Sequence, residues 1–367
     1  CIPAMLLCYW CFGYGAWLCL ALMLAAGIIA HHQKLSALLA AGILLLPATQ
    51  YPATTWWSKP DLDREYVLSL DVEHYFGNIQ KMRKHLETDR QILWVTYYRN
   101  LYNATHPSEI NSPVSLSRNL LAWNQPGTNG LILPVNPSAS FLSILFANEL
   151  WFTLGDMTMA EHCAMLSMIF SPRNSGSRMI KRLAEINLVN GDDEAALKYL
   201  RILDKTLLHK SWAEKRIPGQ QTPRVKEWLE KKRRDIPTQD HLRSGNDAVT
   251  SLRNLVASNA CNLRAYEYLL CYHLLSKDLR SFVEDYVPGK VSSSIFAEAL
   301  LIHLARQGNI RAEELIKYQI PVKIAKEFAD YTRLYEAKDT SLKEKYGKTY
   351  WFYYHFATTE PGKESKP

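Results

Sequence analysis

The sequence predicts an all-α fold in two parts, a transmembrane helical hairpin followed by an α-solenoid of stacked helix pairs. Three observations predict it. Of the 43 Lys and Arg and 36 Asp and Glu in the 367 residues, only Lys34 falls between Cys1 and Gln50. The remaining chain repeats a helix, turn, helix pattern. Only two segments, rich in Pro and Gly or in basic residues, interrupt that pattern.

The hairpin is assigned to residues 1–57. Ile2 to Ala30 is uncharged and exceeds the roughly 20 residues that cross a bilayer core. His31, His32, Gln33 and Lys34 form the loop, and Leu35 starts the second span. Tyr51, Trp56 and Trp57 suit the membrane interface, while Pro52 and Pro60 stop the helix. A signal peptide is disfavoured because there is no basic n-region and the apolar run is too long. The absence of an initiator Met suggests a piece of a longer multi-pass protein. Lys34 set against Lys59 and Arg64 does not fix the orientation.

The solenoid is assigned to residues 61–356 and a disordered tail to 357–367. In RLAEINLVNGDDEAALKYLRIL the apolar positions follow helical spacing on both sides of Gly191 and Asp192. Gly191 suits a left-handed C-cap, and Asp192 or Asp193 suits the next N-cap. The same layout surrounds Gly155 and Asp156, with Ala160 on the second helix. Weaker copies surround Gly77, Lys277 and Gly308. Such spacing marks tetratricopeptide-type repeats, whose pairs stack to cover one another's apolar faces. The turn aspartates therefore read as caps rather than as metal ligands.

The first break runs from Pro107 to Pro137. Pro126, Gly127, Gly130, Pro134 and Pro137 punctuate it too densely for regular helix, and its residues Trp123, Asn124, Gln125 and Asn129 are the candidate functional loop. The second spans Lys210 to Asn246, and its Lys210 to Arg234 part holds nine Lys or Arg against three Glu. There Lys231, Lys232, Arg233 and Arg234 are candidate contacts for an anionic surface or partner. The apolar N-terminus and the lack of any nucleic-acid module argue against nucleic acid.

Cys8 and Cys11 form a C-x-x-C pair, but in an apolar span they read as packing residues. Cys163, Cys261 and Cys271 fall on predicted helices without zinc-site spacing. The many aromatic residues include Trp151, Trp212, Trp228 and the terminal YGKTYWFYYHF, expected mostly in the core. No nucleophile elbow, P-loop, dinucleotide fingerprint or H-E-x-x-H occurs, so no cofactor is expected and no catalytic residue is assigned.

RNLLAWNQPGTNGLILP, SRMIKRLAEINLVNG, LDKTLLHKSWA, YEYLLCYHLLSKDL and YGKTYWFYYHF together resemble uncharacterised bacterial multi-pass membrane proteins with a tetratricopeptide-like C-terminal region, from about Tyr66 to Phe356. That resemblance implies a bacterial inner-membrane protein with an extracytoplasmic repeat domain and no assigned activity. The expected function is a membrane-anchored scaffold binding a protein or glycan partner at the cell envelope. The alternative is the accessory tail of a polytopic glycosyltransferase or glycan ligase.

Overall fold

The computed structural model describes residues 62–87, 92–106, 116–123, 130–135, 140–170, 176–238 and 247–357. The predicted hairpin over 1–57 and, apart from Ala357, the predicted tail lie outside the described residues. Among the described residues are eighteen α-helices and no strand, so the fold is all-α. None of these helices is long and apolar enough to cross a membrane. Val67–Pro367 forms one compact unit and Cys1–Tyr66 another.

In chain order the helices begin with α1 (Leu62–Tyr75), α2 (Ile79–Leu86), α3 (Leu93–Thr105), α4 (Leu116–Trp123), α5 (Phe141–Leu154), α6 (Met157–Ile169), α7 (Ser177–Asn190), α8 (Asp193–Asp204) and α9 (Lys210–Glu214). They continue with α10 (Pro223–Arg233), α11 (Ala248–Ser258), α12 (Leu263–Leu275), α13 (Leu279–Asp285), α14 (Ser294–Arg306), α15 (Ala312–Lys317), α16 (Val322–Glu336), α17 (Leu342–Tyr346) and α18 (Tyr350–Phe356).

The five predicted turns all carry a left-handed residue, with φ of 70° at Gly77, 91° at Gly155, 83° at Gly191, 59° at Lys277 and 62° at Gly308. In each, the following N–H returns to a carbonyl five residues earlier. Asp156 donates to Trp151 at 3.0 Å, Asp192 to Asn187 at 2.9 Å and Asp278 to His273 at 2.9 Å. This return bond satisfies a carbonyl that the ending helix cannot. The same three aspartates then accept the N–H groups of Met159, Ala195 and Ser281 at 2.9, 2.9 and 3.0 Å, capping the next helix. Gln319 and Lys338 add two joints of the same form that the sequence reading did not single out, with returns from Ile320 to Leu315 and from Asp339 to Leu334.

Consecutive helices pack in series, α5 on α6, α6 on α7, α7 on α8 and α8 on α9, while α10 folds back onto α7. Small residues permit the close approach. Ala160, Ala164, Ala184 and Ala196 are all fully buried. Gly155 is tighter still, because a Cβ there would lie 2.2 Å from the carbonyl oxygen of Asp235.

The Pro107 to Pro137 segment contains regular helix after all. α4 forms from LSRNLLAW, ahead of the punctuating prolines, and buries Leu116 and Leu120 against α3, α12 and α14. The buried carboxylate of Glu267 on α12 accepts the Ser117 N–H at 2.8 Å, closing the start of α4. Downstream, Leu131, Leu133 and Val135 are buried and Asn100 donates to the Gly130 carbonyl at 2.9 Å, so this part of the segment is a packed connection. The second break likewise holds α9 and α10, the latter starting at Pro223, a position that needs no N–H donor.

Cys163 and Cys271 are buried free thiols, whereas Cys261 is exposed in the turn before α12 instead of on a helix. The terminal aromatic run is core in its first part, whereas His355 and Phe356 are exposed. Tyr350, Trp351 and Tyr353 are buried, and the Tyr331 hydroxyl donates to the Trp351 carbonyl at 3.1 Å.

Candidate functional site

A cleft of about 180 Å³ lies between α1, α5, α7 and α10. Helical spacing builds it. His74 and Tyr75 come from the last turn of α1, Glu149 and Phe152 sit one turn apart on α5, and Arg178, Lys181, Arg182 and Glu185 occupy a single face of α7. Trp228 on α10 closes the side, its ring stacked with that of Phe152 at 6.3 Å.

Glu149 is the centre of the charge network. It is buried in an otherwise uncharged helix and accepts from Arg178 at 2.9 Å and from Arg182 at 2.6 Å, with His74 at 3.6 Å. Burial pushes its carboxyl upward, but Arg182, His74 and Arg178 together outweigh that and hold it well below the usual range. Arg178 also binds Asp71 through both terminal nitrogens, and Asp71 accepts the Tyr98 hydroxyl. Arg182 completes the chain by donating to Glu185 at 2.9 Å.

Aromatic faces line up with the cations. The Arg178 guanidinium lies 5.0 Å and the Lys181 ammonium 4.5 Å from the centre of the Tyr75 ring, and Arg182 lies 3.9 Å from that of Phe152. The two arginines are bound to carboxylates. Among the described residues, Lys181 meets the Tyr75 hydroxyl, at 3.3 Å, and a second ring, Trp212, at 5.0 Å, and no carboxylate. It is therefore the cation of the cleft best able to take an incoming anion.

The structure separates the four basic residues predicted as one contact. Lys231, Arg233 and Arg234 are exposed. Lys232 turns inward, with its ammonium 4.6 Å from the centre of the Phe152 ring and 3.5 Å from the Phe152 carbonyl. Burial, and then Arg182 and Arg264, bring its pKa down to about 8. Arg233 donates to the carbonyls of Val189 and Leu188 at 3.0 and 2.8 Å, satisfying the end of α7. Of the predicted loop, Trp123 is the last residue of α4, and Asn124, Gln125 and Asn129 lie outside the described residues.

Apart from Trp228, noted among the aromatics, sequence reading missed the cleft. A glutamate inside FLSILFANELWFTL and the cations of SRMIKRLAEI at one helical face were its local signals.

The fold and the cleft define an all-helical protein with a charged, aromatic-lined groove between helix pairs. Residues 35–357 match the model of a family of unknown function, DUF6057, and the chain belongs to that family. No curated protein and no solved structure matches it.

Proposed function

We propose that the protein is a membrane-anchored, tetratricopeptide-like scaffold of the bacterial cell envelope. Its cleft binds a glycan that carries carboxylate or phosphate groups. The apolar residues before Gln50 support the anchor, and the seven joints of one form support the repeat reading.

One observation carries the choice of ligand: Tyr75, Phe152 and Trp228 line the same cleft as Lys181, Arg178 and Arg182. Flat rings suit the faces of sugar rings, and cations suit their acidic substituents. An apolar helix from a protein partner would find little to bury there.

The test is a titration of the full chain in detergent with uronic-acid oligosaccharides, followed by tryptophan fluorescence. Lys181→Gln and Tyr75→Ala should each weaken binding about tenfold, equivalent to roughly 1.4 kcal/mol. Equal affinity for neutral oligosaccharides, or binding unchanged in both variants, would remove the cleft from this role.

A further inference from the structure

Leu207 and Leu208 are the most exposed large apolar side chains among the described residues, at 97% and 85%. They occupy the turn between α8 and α9, and that turn is well built. The Thr206 hydroxyl donates to the Leu203 carbonyl at 2.7 Å and accepts the His209 N–H at 3.2 Å. The Thr206 N–H donates to the same carbonyl at 2.9 Å, and Lys210 donates back to Thr206 at 3.2 Å. A hydrogen-bonded turn thus holds both leucines outward.

The surroundings of the turn are basic. Lys198, Arg201, Lys205, Lys210 and Lys215 are exposed, against exposed Asp204 and Glu214, and Ile202 extends the apolar surface along α8. An apolar tip ringed by cations matches an anionic bilayer, which takes the leucines into its acyl boundary and the lysines at its headgroups.

We propose that the Leu207–Leu208 turn inserts into an anionic lipid surface, giving the helical unit a bilayer contact of its own. The contact rests on the membrane reading above only for a bilayer being at hand, and it does not depend on the ligand of the cleft. It also ties the cleft to the membrane. Trp212, four residues past Leu208, lies 5.0 Å from Lys181, and the same ammonium lies 4.5 Å from the centre of the Tyr75 ring. Insertion of the turn would set that edge of the cleft close to the headgroups.

The experiment places the fluorescent amino acid Anap at position 207, 21 or 336 of the full chain. Each chain is combined with vesicles of phosphatidylcholine, alone or mixed with phosphatidylglycerol, that carry doxyl-labelled lipid. Position 207 should be quenched in the mixed vesicles and exposed position 336 should not. Lys205→Gln and Lys210→Gln should each weaken insertion about fivefold. Quenching at 207 no greater than at 336 overturns the proposal, as does a label shielded from aqueous iodide yet not reached by doxyl lipid, because a protein then covers the turn. Equal quenching in both vesicles overturns the anionic preference. Position 21 reports the N-terminal anchor separately, so its failure would sink that reading and leave the result at 207 standing.

Discussion

The carboxylate of Glu298 on α14 accepts the backbone N–H of Tyr350 at 2.6 Å, so a side chain from one helix closes the start of another 52 residues later. Burial raises this carboxyl, the Tyr350 N–H lowers it and Glu327 raises it, and together they bring it up to about 7. With a folded pKa above the ordinary 4.5, its contribution to stability is present below about pH 4.5 and lost as pH rises through about 7. Glu298→Gln keeps an acceptor and removes the charge. It should raise thermal stability at pH 8 by up to about 3 kcal/mol and leave it little changed at pH 4.5. A pH series of melting curves on both chains checks this.

Glu149 has the opposite sign. Its depressed pKa contributes stability above the ordinary 4.5, lost as pH falls through the folded value. Glu149→Gln leaves Arg178 and Arg182 short of a shared counter-charge in a largely buried site. The cost should be about 3 kcal/mol in urea unfolding at neutral pH. A loss under 1 kcal/mol would mean that Asp71 and Glu185 suffice for the two arginines.

Gly155 and Gly191 share a backbone conformation but differ in surroundings. A Cβ at Gly191 meets nothing within 4 Å, so Gly191→Ala should cost only the left-handed strain, about 1 kcal/mol. At Gly155 the Asp235 backbone stands in the way, and Gly155→Ala should cost at least twice as much. Equal losses in a denaturation comparison would contradict the close approach.

Arg233 should differ from its neighbours. Arg233→Gln removes charged donors from the Leu188 and Val189 carbonyls and should destabilise by about 2 kcal/mol, whereas Lys231→Gln and Arg234→Gln should be silent within about 0.5 kcal/mol. Melting temperatures of the three single variants decide it.

These contrasts show what the sequence could reveal. Gly155 with Asp156 and Gly191 with Asp192 were legible because left-handed backbone and capping are chemistry between near neighbours. The Leu116–Trp123 helix was overshadowed by the prolines after it. The four residues from Lys231 to Arg234 read as one patch in a linear sequence, but successive helical residues point about 100° apart, so Lys232 turns towards Phe152 while Arg233 reaches the end of α7. The cleft was hidden for the converse reason: its residues are far apart in the chain and meet only through the packing of α1, α5, α7 and α10.

The joint at Gly191 and the joint at Lys277 keep the same return bond although α9, α10 and α11 all lie between them. Each joint draws its hydrogen bonds from its own neighbourhood, so the chain between two joints can lengthen or shorten without forcing either one to re-register. The interval carries the leucine turn, Trp228 and the inward-turned Lys232, and it also braces the framework, through Arg233 on the Leu188 and Val189 carbonyls and the Asp235 backbone against Gly155.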